Sequence, residues 1–192
     1  SSCVREPSQS FFIKVPEYFY RMKSAVRASK AVLPDVDVYL MDTSISSIVG
    51  CLWDHRIYGR DPVLGVNVGN GHTMAAVISK NRVQGFFEHH TGSLTGDKLV
   101  TLMKKLCEGS LTHEEVFYDG GHGAAFFDDM PGFSKIDVIA VTGPRRDLLE
   151  GSCIEYLQAS PGGDVMMSGT IGLIRSICAY KKGCTRDFKS TT

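Results

Sequence analysis

Gly69-Asn70-Gly71-His72-Thr73 lies between two apolar, β-branched runs at residues 64–68 and 74–78. This pattern predicts strand, tight turn, strand, with Asn-Gly supplying the positive backbone angles that a two-residue hairpin favours. A glycine-rich turn of this kind leaves successive backbone N–H groups uncovered by side chains, and they can converge on an anion such as a phosphate oxygen. Gly69, Asn70 and Gly71 would contribute backbone donors and Thr73 its hydroxyl, while His72 stands beside them as a further donor. A plain structural hairpin ending in a solvated histidine is the competing reading.

Two other constellations carry chemistry. Glu88, His89 and His90 close an expected third strand, and Asp119-Gly120-Gly121-His122-Gly123 forms a second glycine-rich stretch. Glu88, His89, Asp119 and His122 would make a hard-metal or general acid–base site where that strand meets that loop. Adjacent His89 and His90 point to opposite faces of a strand, so only one of them can serve a single ion; solvated or hydrogen-bonded histidines are the alternative. Further on, the apolar run 136–141 leads straight into Thr142-Gly143-Pro144-Arg145-Arg146. A strand ending in such a turn is where open α/β sheets bind ligands. Either arginine could hold a phosphate bidentately or sit in a surface ion pair. His55, Arg56 and Arg60 fall in a connection that reads as a solvated loop.

The elements that must position these residues follow from periodicity. Val15-Pro16-Glu17 should open a first helix, with Tyr18, Met22, Ala25, Val26 and Ser29 on a narrow face and an end before Pro34. Residues 37–41 read as a short strand. Asp42-Thr43-Ser44 should cap a second helix in which Ile45, Ile48, Val49, Leu52 and Trp53 recur at helical spacing. Gly50 inside it costs about 1 kcal/mol relative to Ala, so close approach of another backbone is expected there. After the hairpin, a turn at Asn81-Arg82 leads to a third strand over 83–90. A helix capped by Thr95 carries Leu99, Leu102, Met103 and Leu106, and a shorter one starts at Thr112. Residues 119–127 read as a loop, 136–141 as a buried strand, 161–163 as a turn and 169–180 as a last helix, with a basic tail from Lys181.

Composition narrows the class. With 192 residues and 43% hydrophobic content, the chain can bury a core. Its 21 basic and 21 acidic residues cancel, which gives no footprint for nucleic acid or an anionic membrane surface. No apolar run reaches the ~18 residues of a membrane span. The six cysteines are scattered without metal-site spacing, so a reduced, cytoplasmic protein is expected. The chain does not begin with Met, and the expectation is a piece of a longer protein. Two regions follow. Residues 1–63 form a helix-strand-helix segment, the remnant of a preceding domain with a connecting helix at 43–54. Residues 64–192 form an α/β domain whose three-strand meander, parallel strands and packed helices give a ribonuclease-H-like half-domain.

This element order, with glycine turns at these places, resembles the C-terminal half of the actin-like ATPase superfamily of actin, heat-shock chaperones and sugar kinases. Asn67-Val68-Gly69-Asn70-Gly71-His72-Thr73 looks like its second phosphate loop, and residues 42–53 look like its first connecting helix. Val138 to Arg146 look like its adenosine loop, and residues 163–172 like its second connecting helix. The resemblance implies that Thr142, Gly143, Pro144 and Arg145 border the base or ribose of ATP bound with Mg²⁺. It also implies an ATPase or kinase half that lacks the first phosphate loop of the N-terminal half, with that half or a second copy of the chain as its partner. Three departures oppose hydrolysis by this chain alone: that loop is absent, Asn67 stands in place of a carboxylate, and Pro144 replaces a glycine. A regulatory domain that keeps the fold to bind a small anion or a partner is the second reading. More narrowly, Val-Thr-Gly-Pro-Arg-Arg and Asp-Gly-Gly-His-Gly resemble a family labelled pyruvate formate-lyase activating enzyme. Radical chemistry of that type requires three clustered cysteines, a spacing this chain lacks, so a radical iron–sulfur enzyme is not expected.

Overall fold

The computed structural model describes residues 6, 7 and 10–181. Six strands form one mixed sheet. Strands β3 (Val63–Val68), β4 (His72–Ser79) and β5 (Arg82–His90) make the expected antiparallel meander. β7 (Val138–Thr142) then pairs parallel to β3, and β8 (Leu157–Gln158) parallel to β7. The remaining edge is β6 (Gly123–Phe126), antiparallel to β5. Across the sheet the order is β6-β5-β4-β3-β7-β8. Every residue of β3 is buried, as expected of a central strand covered on both faces.

One face carries α3 (Gly96–Cys107) and α4 (His113–Tyr118). Leu99, Met103 and Leu106 of α3 pack on Leu64, Val66, Val77 and Phe87 in the main core. Thr95 caps α3 by accepting from Lys98 N–H, Asp97 lies in its first turn and Lys104 and Lys105 in its last, all favourable to the helix dipole. Thr112 caps α4 by accepting from Glu115 N–H at 3.0 Å.

The other face carries α2 (Thr43–Cys51), whose Ile48 packs on Met74, Ala76 and Ile78. The Asp42 carboxylate caps it by accepting from Ser44 and Ile45 N–H. The last helix, α5 (Ser168–Lys181), crosses α2 and buries only Ser168, Gly172 and Ser176. These small residues are the reason for the crossing. A Cβ on Gly50 would lie 1.9 Å from the Ser168 carbonyl oxygen, and one on Gly172 would lie 1.9 Å from that of Ser46. The expected backbone approach at Gly50 is therefore made by α5.

Several boundaries differ from expectation. The first helix, α1, spans Tyr20–Val32 and buries none of its residues. Pro16 lies before it, accepting from Phe19 N–H in a turn. Of residues 37–41 only β2 (Leu40–Met41) is strand, paired with β1 (Phe11–Phe12) in a separate two-stranded sheet. The expected loop after Gly123 is strand β6, because the free edge of β5 offers it a hydrogen-bonding partner. The positive backbone angles fall at Lys80 and Asn81 (φ 51° and 59°), which make the β4–β5 turn, whereas Asn70 and Gly71 do not adopt them. The predicted basic tail lies outside the described residues after Lys181.

Candidate functional site

The parallel strands β3 and β7 finish side by side at one end of the sheet. Gly143 allows this closeness: it has φ +101°, and a Cβ there would lie 2.3 Å from the Val68 carbonyl oxygen. Arg145 N–H donates to that same carbonyl at 3.0 Å. Over the strand ends sits a cleft of about 340 Å³, the lower end of the range for small-molecule sites. Its floor is Asn67, Thr142, Gly143 and Pro144, and its walls include Ser46 and Ser47 of α2 and Thr170 of α5. The Thr142 hydroxyl is bound to the Ser168 hydroxyl at 2.8 Å, which fixes the floor to the start of α5. Among the described residues, no charged side chain lines this cleft.

The hairpin tip follows β3 at the same end of the sheet. Gly69 N–H donates to the His72 carbonyl at 3.0 Å, closing the turn. Asn70, Gly71 and His72 are exposed, and the N–H groups of Asn70 and Gly71 find no acceptor among the described residues. Thr73 is placed otherwise than expected. Its side chain is fully buried, and its hydroxyl is shared with that of Thr91 at 2.9 Å, which in turn donates to the Gly69 carbonyl at 2.8 Å. Thr73 thus holds the turn in shape and is not free to meet a phosphate.

Arg145 and Arg146 also stand apart from the cleft. Arg145 is exposed and 3.9 Å from the Asp147 carboxylate, while Arg146 donates to the Gly143 carbonyl and to Gln158. The connection read as a solvated loop is instead a set of ties. Arg56 grips the buried Asp54 carboxylate, which also accepts from Ser160 N–H at 2.8 Å, and Arg60 grips Asp137. Hydrogen bonding from Arg56 holds the Asp54 carboxyl well below the usual carboxylate range, against the opposing effect of burial.

The expected grouping of Glu88, His89, Asp119 and His122 separates into two sites on opposite faces. His89 is fully buried on the α3 face and its Nε2 is 3.0 Å from Asp119, which is also paired with Lys98. Hydrogen bonding to Lys98, followed in smaller part by His89, lowers the Asp119 pKa against burial. On the α2 face, the register of β4 and β5 sets His72 opposite His90, and the loop before β6 brings His122 beside both. The three ring centroids lie 4.7–5.0 Å apart. Glu88 sits two residues before His90 on that same face and lines, with His72, His122 and Asp42, a second cavity of about 830 Å³. The two cavities meet at Met41 and Thr43, at the start of α2.

Of the two adjacent histidines, His90 and not His89 shares a face with Glu88 and lies beside His122, and His72, expected only at the hairpin, joins them. Alternation along β5 could have separated His89 from His90, but choosing the face required the strand register.

Among the described residues, no helix is long and apolar enough to cross a membrane. No curated protein matches the chain. Residues 4–148 match the family described as "Putative pyruvate format-lyase activating enzyme (DUF1786)", and the chain belongs to that family.

Proposed function

We propose that the protein is a nucleotide-phosphate-binding domain with a ribonuclease-H-like core of the actin-like type, which binds ATP and does not by itself complete hydrolysis. The observation that most supports this reading is the cleft over the ends of two parallel strands that continue an antiparallel meander on its β3 side. The crossing of α2 and α5 beside that cleft adds to it, since these are the segments that resemble the two connecting helices of actin-like proteins. Asn67, Thr142, Gly143 and Thr170 would receive the nucleoside, and the exposed N–H groups of Asn70 and Gly71 would receive phosphate oxygens. Mg²⁺ would be held chiefly by the phosphates, because Asn67 offers a neutral oxygen where a carboxylate would balance its charge. The exposed apolar residues of the first segment, among them Tyr20, Val32 and Leu33, are read as the surface that meets a further half-domain or a second copy.

An iron–sulfur cluster does not fit the four described cysteines. Cys51 and Cys107 are buried on opposite faces of the sheet, each thiol pushed up to about 12, with burial the leading cause. Cys153 and Cys178 are free and exposed, and no three described cysteines form a ligand group.

Thermal unfolding in the presence of ATP and Mg²⁺ tests the nucleotide reading. A melting temperature that rises with ATP concentration, with the rise reduced in Gly71→Val, supports it. No rise at millimolar ATP overturns it. A rise unchanged by Gly71→Val moves the phosphates away from the hairpin.

A further inference from the structure

We propose that His72, His90 and His122 form a binding site for a divalent transition-metal ion, with Zn²⁺ as the best match, that leaves one coordination position open toward Glu88. This proposal does not depend on nucleotide binding. Three of the chain's six histidines meet here, and one ligating nitrogen from each lies within 4.8 Å of the others. Tetrahedral Zn²⁺ takes nitrogens at about 2.0–2.1 Å, so small rotations of the three exposed rings bring them to bonding distance.

The backbone beneath the rings is fixed. His72 and His90 are direct partners in the β4–β5 ladder. Thr91 N–H donates to the Gly71 carbonyl at 2.9 Å and closes the end of that ladder. His122 N–H donates to the Glu88 carbonyl at 2.8 Å, and Gly121 N–H donates to that of Val116 at 2.9 Å. Gly121 is needed for this loop path, since a Cβ there would lie 2.7 Å from Val116 and 2.8 Å from His89. The third ligand is thus delivered by a loop pinned at successive residues, which is how a site is held ready for its ion.

The ring environment favours a metal over a plain surface cluster. Among the described residues, none of the three imidazoles has a carboxylate or a hydrogen-bond partner, whereas His89 is paired with Asp119 and His55 lies near Asp54. Their ring nitrogens carry lone pairs that can converge on one cation. Imidazole ligands suit Zn²⁺, Ni²⁺ and Cu²⁺ and argue against Mg²⁺ or Ca²⁺, which take oxygen. Three protein ligands with a cavity on the remaining side match the open type of zinc site, in which water or a substrate oxygen occupies the fourth position. Glu88 faces that cavity as a hydrogen-bond acceptor for such a water.

The test is isothermal titration of the chelator-stripped full chain with ZnCl₂, together with the visible absorption of the Co²⁺-loaded protein. One Zn²⁺ per chain and the intense d–d bands of four-coordinate Co²⁺ are expected. His90→Ala and His122→Ala should each weaken Zn²⁺ by more than about 100-fold, beyond the 10–100-fold typical of outer partners, while His55→Ala leaves it unchanged. Glu88→Gln should keep the stoichiometry and change the Co²⁺ spectrum. Binding that does not saturate near one ion, equal affinity in His90→Ala and wild type, or a six-coordinate Co²⁺ spectrum would each overturn the proposal. The ligands are exposed, so near-native melting curves for the alanine variants are expected, and these separate lost binding from lost folding.

Discussion

Replacing Gly172 by alanine probes the contact on which the cleft depends. In an ordinary helix this change stabilises by about 1 kcal/mol. Here the new Cβ would lie 1.9 Å from the Ser46 carbonyl oxygen, 2.8 Å from Gly50 N and 2.9 Å from the Ser46 carbonyl carbon. All three are backbone atoms, so no side-chain rotation relieves the clash, and the Cβ and the carbonyl oxygen must separate by roughly 1.5 Å or more to reach van der Waals distance. Overpacking of this kind costs about 1–3 kcal/mol. Parting the helices also strains the Thr142–Ser168 hydroxyl pair and the hydrogen bond from Ser46 to the Gly169 carbonyl, each worth about 1 kcal/mol. After the gain in helix propensity, a net loss of about 2–4 kcal/mol remains, or roughly 5–12 °C in melting temperature for a domain of this size. Gly169→Ala is the control in the same helix: its Cβ would meet only the Ser47 hydroxyl oxygen at 3.5 Å, an ordinary contact, and its stability should be unchanged or slightly raised. Equilibrium urea unfolding of the two variants measures the difference. If Gly172→Ala unfolds at the same urea concentration as Gly169→Ala, the close-crossing argument fails.

Other expectations follow from the ties around the site. Asp54→Ala removes the acceptor of Arg56 and of Ser160 N–H and should cost about 2–3 kcal/mol in urea unfolding at neutral pH. Because the Asp54 pKa is lowered by folding, its contribution is complete above the ordinary carboxylate range of about 4 and is lost as pH falls below it. The gap between wild type and Asp54→Ala should therefore narrow between about pH 4 and pH 2. Thr73→Val breaks the Thr73–Thr91–Gly69 chain and should cost about 1 kcal/mol, with faster amide exchange across residues 69–72. Gly143→Ala sets a Cβ 2.3 Å from the Val68 carbonyl at a positive φ and should lower the melting temperature while weakening any ATP-induced rise.

Much of the architecture is written in local pattern. Alternating and β-branched runs marked β3, β4, β5 and β7, and the oxygens of Asp42, Thr95 and Thr112 marked three helix starts, because a cap satisfies N–H groups only two or three residues away. Gly50 could be recognised as costly in a helix, and the cost pointed to a close neighbour. The first segment was harder to read: α1 buries nothing, so no packed face disciplined its periodicity, and it begins at Tyr20 and not at Pro16.

The site divides along the same line. That β3 and β7 end in glycine turns able to border a ligand was legible, because turn chemistry is local. Which side chains face one another was not. His72 and His90 lie 18 positions apart, and only the ladder register makes them partners. His122 joins them because its N–H is held by the Glu88 carbonyl, while one residue of alternation sends His89 through the sheet to Asp119. Thr73, chosen for a phosphate, spends its hydroxyl on Thr91, and Arg56, taken for solvated, is spent on Asp54. Sequence by itself determined strands β3, β4, β5 and β7 and the caps of α2, α3 and α4, whose energies come from neighbours along the chain. Register, sheet edge and helix crossing were decided by contacts between distant residues, and these select which donors remain free for a ligand.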